Sequence, residues 1–391
     1  MDTETIDLSG HFHMRFLFAC LSVAATFLCM AVEGHAAGSS LNNVFKDPLV
    51  TPADARPAAT VNLSRQPTLA LARVDEGTRE RFVAAGLHGL ILFSNDDGMH
   101  WRQAQVPVQS DLVSLSFISE KQGWAVGHDG VILHTGDGGE TWKKQFDGEL
   151  AHDALTSFYK ARVAKGEKGL QPFLDEIELN TKSGATWPFL SVYFESQQIG
   201  YAVGSFGMIV KTVDGGKTWE PWLDHIDNDK FLNLNDIRKI GQDIYIAGEQ
   251  GTVYRLDRKQ QRFVGISPNY KGSFFHIVGN DRFLLAVGLN GTAFRSVDGG
   301  HSWEAVKTGV HTSLTSAALS VDDKVVVLTG EGGQVLCSID DARSFSPFPV
   351  DKPMLFADVV ASNGAWFVFA GFQGIERKEF RHKQNLTGGR T

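Results

Sequence analysis

Residues Gly204–Trp219 read GSFGMIVKTVDGGKTW and hold two signals at a fixed distance. The first, Gly204-Ser205-Phe206-Gly207, is a two-residue turn between the apolar runs Tyr201-Ala202-Val203 and Met208-Ile209-Val210. The second, Thr212 to Trp219, has the form Ser/Thr-x-Asp-x-Gly-x-Ser/Thr-Trp. A turn followed by a short apolar run and a glycine-rich box describes a hairpin with a second hairpin behind it. What decides the fold is whether the pair repeats.

It does. Further boxes stand at Ser94–Trp101, Thr135–Trp142 and Ser296–Trp303, with a decayed copy at Ser338–Phe345 and a worn frame around Asp257. The G-x-x-G turn begins at Gly86, Gly127, Gly204, Gly248, Gly288, Gly330 and Gly371, in steps of 41, 77, 44, 40, 42 and 41 residues. A period near 41 with β-rich runs and no helical spacing is that of a propeller blade of four short strands. The expected fold is all-β, a seven-bladed β-propeller with one insertion, in the double-length step. Box chemistry explains the composition: the glycines admit positive φ, the aspartate satisfies free turn N–H groups, and the tryptophan lies over the hairpin. Asp96, Trp101, Asp137, Trp142, Asp214, Trp219, Asp298, Trp303 and Asp340 are therefore read as structural residues.

These octapeptides resemble the Asp-box, or BNR repeat. The run AVGSFGMIVKTVDGGKTW resembles more narrowly the photosystem II stability/assembly-factor-like family of the HCF/YCF type, over roughly Thr68 to Phe380. Its bacterial members are exported and not confined to photosynthesis. The resemblance implies assistance in assembling membrane protein complexes, hence a membrane-protein client. The family's arginine-rich surface patch has no aligned arginine cluster in this sequence to carry it over.

Outward from the repeat, residues 1–36 read as a cleaved export signal: Arg15, then the apolar run Phe16–Val32, then Gly34 and Ala36 as small residues before the cut. The start is Met1 or Met14. Leu28 stands before Cys29 where a lipoprotein signal wants a small residue. Cleavage leaves Cys337 as the one cysteine, which admits no internal disulfide and no cysteine metal site. Residues 37–66 read as a lead-in whose stretch Leu41 to Leu63 supplies the missing outer strand of the last blade. Residues 67–380 are the propeller and 381–391 a polar tail. Within 148–187, two stripes (Ala151, Ala154, Leu155, Phe158, Arg162; Leu170, Phe173, Leu174, Ile177) predict a helical hairpin between blades two and three.

The balance of 37 Lys+Arg against 45 Asp+Glu argues against a nucleic-acid or anionic-membrane binder. Blade geometry puts the G-x-x-G turns and the insertion on one face and the boxes on the other. The candidate partner-binding residues are accordingly His88, His128, Asp129, Phe206 and Phe372 in the turns, with Lys160, Arg162, Lys165 and Lys168 as a basic edge of the insertion. No catalytic, cofactor or metal residue is assigned, and no cofactor is expected; His88, His128, His134 and His276 are scattered over different blades. The reading taken is an exported, monomeric, non-enzymatic scaffold for a membrane protein or complex, touching the membrane only through its partner and located in the periplasm or otherwise extracytoplasmic. The alternative is a sialidase-like glycoside hydrolase using the channel. That chemistry needs two facing acids, or a tyrosine with a partner acid, and an arginine cluster. Tyr193 and Glu195 are its nearest candidates, with Arg255 and Arg295 set away in third strands.

Overall fold

The computed structural model describes residues 62–381 apart from 77–78 and 182–186. The export signal, the lead-in up to residue 61 with its expected closing strand, and the polar tail beyond residue 381 lie outside the described residues. Six sheets have four strands and the seventh has three, each sheet built from strands consecutive in the chain and paired antiparallel. The inner strands are Thr68–Glu76, Leu112–Phe117, Phe189–Phe194, Leu234–Ile240, Phe274–Asn280, Leu314–Leu319 and Phe356–Ala361. Each packs against the next, and the last packs against the first, so the ring of seven blades is closed.

Local chemistry fixes each blade. The second strands Gly123–Gly127, Gly200–Gly204, Phe283–Gly288 and Val326–Gly330 are buried at every residue, since both faces meet neighbouring blades. The box hairpins are held as their spacing predicts. Thr212 Oγ1 donates to Asp214 Oδ1 (2.8 Å) and accepts the Gly216 N–H (2.9 Å). Asp214 in turn accepts the Thr218 N–H (2.9 Å) and hydroxyl (2.6 Å). The same four bonds recur around Asp137, Asp298 and Asp340. Trp101, Trp142 and Trp303 donate from Nε1 back to the second glycine position of their own boxes. At Asp298 the Ser302 hydroxyl and N–H, with the Ser296 hydroxyl, hold the carboxyl well below the usual carboxylate range.

The box aspartates thus serve the turns. Asp214→Ala is expected to cost about 1 kcal/mol, the net worth of the turn bonds it ends. It should lower the melting temperature without changing partner binding. Loss of binding at an unchanged melting temperature is the result that would contradict a purely structural box.

The insertion is a helical hairpin. Helix α1 (Gly148–Ala164) is capped by Asp147, whose side chain accepts the Leu150 N–H at 3.0 Å. Helix α2 (Gln171–Thr181) follows a turn in which Gly166 and Gly169 take φ of 84° and 80°. The hairpin connects the outer strand of blade two to the inner strand of blade three. Ala151, Leu155, Tyr159, Leu170, Leu174 and Ile177 are buried in one apolar cluster with Trp187, Phe189, Trp222 and Leu223 of the propeller wall.

Candidate functional site

One position per blade organises the channel. Each inner strand carries a β-bulge directly after its first residue, and the residue just past the bulge is Ala70, Ser114, Ser191, Asp236, His276, Ser316 or Asp358. A bulge re-aims the following side chain, and here it sends the polar ones across to the next blade. Ser114 Oγ accepts the Val192 N–H (3.3 Å), Ser191 Oγ the Ile237 N–H (3.2 Å) and Asp236 Oδ2 the Ile277 N–H (3.1 Å). His276 bonds to the Ala317 backbone, and Ser316 Oγ donates to Asp358 Oδ1 at 2.7 Å. Asp358 Oδ2 accepts the Leu71 N–H (2.8 Å), joining blade seven to blade one. Glu80 adds a second seam there, accepting the Ser362 hydroxyl and the Asn363 N–H.

The charged members of this belt sit together. Asp236, only 3% exposed, accepts from Ser191 Oγ (3.0 Å) and Arg238 Nε (3.0 Å), and His276 Nδ1 lies 3.2 Å away. Burial alone would raise the Asp236 pKa; Arg238, His276, the Ile277 N–H and the Ser191 hydroxyl outweigh it and hold the carboxyl low. Burial pushes His276 below the usual histidine range, despite the Asp236 carboxylate beside it. These groups line a small cavity of about 90 Å³. A larger one of about 510 Å³, lined among others by Arg73, Arg238, His276, Asp323 and Asp358, shares Arg238, His276 and Asp358 with it. Asp236 and Asp358 are thus channel carboxylates already committed to holding blades together, and sequence reasoning missed both.

The candidate turn residues lie in turns of separate blades, at the end of the inner strands that carries the bulges. His88 (81% exposed) and His128 (41%) flank one carboxylate, with their Nδ1 atoms 4.0 and 3.9 Å from Asp111. Asp129 follows His128 in the turn. Phe206 is 45% exposed in the blade-three turn, beside the hairpin. Phe372 lies in blade seven, its N–H donating to Leu355 O. The basic edge of the hairpin is partly spent on the protein itself. Arg162 reaches Asp224 and Glu167, each at 2.8 Å, and Lys160 reaches Glu178 at 2.8 Å, while Lys165 and Lys168 are exposed. Asp224 also accepts the Tyr159 hydroxyl at 2.8 Å, so one wall carboxylate pins α1 twice.

The residues that a hydrolase would need do not converge. Glu195 is paired with Arg258 at 2.5 Å, and Tyr193 is paired with Tyr201 across the blade-three sheet. Arg295 is held by Asp341 O and Glu304, and Arg255 NH1 lies 3.5 Å from Gly299 O. Among the described residues, no group of three or more His, Cys, Asp or Glu side chains is placed to hold a metal ion.

Fold and boxes together define a seven-bladed Asp-box β-propeller. The family described as Photosynthesis system II assembly factor YCF48 matches this sequence over residues 93–171 and 167–267, and the propeller resembles that assembly-factor kind. It is 24% identical over 285 residues to the photosystem II assembly lipoprotein Ycf48 of Synechococcus sp. (strain CC9902), spanning 65% of this chain and 83% of that one. It is 22% identical over 291 residues to the chloroplastic photosystem II stability/assembly factor HCF136 of Arabidopsis thaliana, spanning 64% and 71%. A solved structure of YCF48 bound to D1 peptide superposes with a TM-score of 0.59 at 16% identity, over 84% of this chain and all of that one. At that identity the superposition speaks for the fold.

Proposed function

We propose that this chain is an exported, non-enzymatic assembly factor that holds a subunit of a membrane protein complex on its turn face while the complex is built. The observation that carries the reading is the similarity to Ycf48 and HCF136 over most of the propeller. The commitment of the channel carboxylates to blade-to-blade bonds supports it, because it leaves the ring rigid and the chemistry to surface recognition. Export is supported by the arginine-led apolar run at Phe16–Val32. A similar solved structure is named as YCF48 bound to D1 peptide, and a polypeptide segment of a membrane subunit is the class of client proposed here. Crosslinking in cells, with partners identified by mass spectrometry, tests this. A membrane-complex subunit enriched with the wild-type chain, and not with an unrelated exported propeller, is the expected outcome. Enrichment of soluble proteins alone would overturn it, as would turnover of aryl glycosides by the purified chain that Glu195→Gln abolishes.

A further inference from the structure

Five blades place a non-glycine residue in the left-handed region at the second position of the G-x-x-G turn: His88, Asp129, Phe206, Gln250 and Asn290. Four of these are polar side chains. Phe206, at φ 57°, is the one aromatic hydrocarbon, in a conformation that disfavours a bulky residue. Nothing in the turn's bonding calls for it, since its N–H donates to Asn233 Oδ1 and any residue could make that bond. Its ring is nonetheless 45% exposed.

A second left-handed phenylalanine stands directly against this turn. Phe231 has φ 50°, and a Cβ on Gly207 would come within 2.9 Å of its Cα. The loop that carries Phe231 is fixed by a buried amide: Asn228 Nδ2 donates to Leu232 O (2.9 Å) and its Oδ1 accepts the Leu232 N–H (3.0 Å). Phe231 meets Phe173 of α2 edge to face at 5.8 Å. These two are the only aromatic hydrocarbons among the non-glycine residues with positive φ in the described chain, and they adjoin. Strained backbone of this kind persists where the surroundings over-determine it, and it clusters at binding sites. Asp229 and Lys230 precede Phe231 in its loop, Glu249 comes beside the turn by accepting the Asn233 N–H at 3.2 Å, and the neighbouring Asp227 is taken by Arg262 at 2.6 Å.

We infer that Phe206, with Phe231 and Phe173, is the anchor that receives an aromatic side chain next to a cationic one on an extended segment of the partner protein. This rests on the protein-binding reading above and locates it at the foot of the hairpin. The aromatic ring supplies most of the contact, as buried aromatic anchors do at interfaces. The surplus carboxylates select a segment whose aromatic residue is followed by Arg or Lys.

The test uses the purified mature chain and a labelled, end-capped pentapeptide Gly-Phe-Arg-Phe-Gly, with Gly-Phe-Glu-Phe-Gly as control, read by fluorescence anisotropy. Asparagine is at ease in the left-handed region, so Phe206→Asn should melt no lower than wild type. Its affinity for the arginine peptide should fall by about tenfold or more, a difference of about 1.4 kcal/mol. Phe206→Tyr should keep the affinity, and the glutamate peptide should bind more weakly than the arginine peptide to wild type. Equal binding by Phe206→Asn overturns the anchor, as does a lowered melting temperature with binding intact, or no binding of the arginine peptide to wild type. The assay contains no membrane client, so its result stands apart from the crosslinking that tests the assembly-factor reading.

Discussion

Asp236→Ala is expected to destabilise the propeller by about 3 kcal/mol, the cost of leaving buried hydrogen-bond donors without their acceptor. The carboxylate is at once the acceptor of the Ile277 N–H from blade five, the acceptor of the Ser191 hydroxyl from blade three, the counter-charge of Arg238, and a neighbour of His276 Nδ1 at 3.2 Å. Truncation strands the buried Ile277 N–H, Ser191 hydroxyl and His276 ring, while Arg238, 41% exposed, can turn to water. Asp236→Asn keeps the shape and can still accept hydrogen bonds, but it leaves Arg238 without its nearest opposing charge, so it should fall between wild type and alanine. The sign with pH follows from the directions of the shifts. Asp236 is held below its unfolded value near 3.9, so its contribution is complete above that value and lost as pH falls through the folded pKa. His276 is held below its unfolded value near 6.5, so the fold favours the neutral ring and loses stability as pH falls from about 6.5. Urea midpoints should therefore drop from pH 7 toward pH 4, and the gap between wild type and Asp236→Asn should close below pH 4. A gap that widens on acidification would mean that the carboxylate is not ionised in the folded state.

Why the blades were legible in the sequence and the belt was not comes down to locality. A box closes its own bonds within Thr212–Thr218, and a G-x-x-G turn needs only its own glycines, so both print directly as motif and period. Asp236 and Asp358 work across blades, at a bulge whose position is set by strand pairing and not by any neighbour in the chain. The hairpin was readable as two helices from its stripes. Tyr159 was not read into the stripe, because Phe158 and Arg162 suggest a face one residue earlier; Ala151, Leu155 and Tyr159 follow the true inward spacing. Phe231 is hard to read in sequence, since the residue at the left-handed position is itself neither glycine nor asparagine. Of the nine predicted partner residues, the hairpin cations are the ones whose surroundings change the argument, because two of the four are bonded within the protein.

That changes what removing the hairpin should do. Read from spacing alone, residues 148–185 are an insert that six other blade junctions do without, so a short Gly/Ser linker would leave the ring intact at small entropic cost. The packing says otherwise. Tyr159 is fully buried between Phe158, Phe173 and the wall, and its hydroxyl shares Asp224 with Arg162. Burial and the Asp224 carboxylate push the phenol far above its ordinary pKa, so it stays a neutral donor throughout the folded range. Tyr159→Ala is expected to cost about 3–5 kcal/mol, as buried aromatic truncations do. Tyr159→Phe, which keeps the packing and loses one bond to a charged acceptor, is expected to cost about 1.5–3 kcal/mol. The linker replacement would bare Trp187, Trp222 and Leu223, and should unfold at lower urea than Tyr159→Phe. If the replacement instead melts like wild type, the hairpin is dispensable to the wall, and its retention would have to be explained by the partner alone.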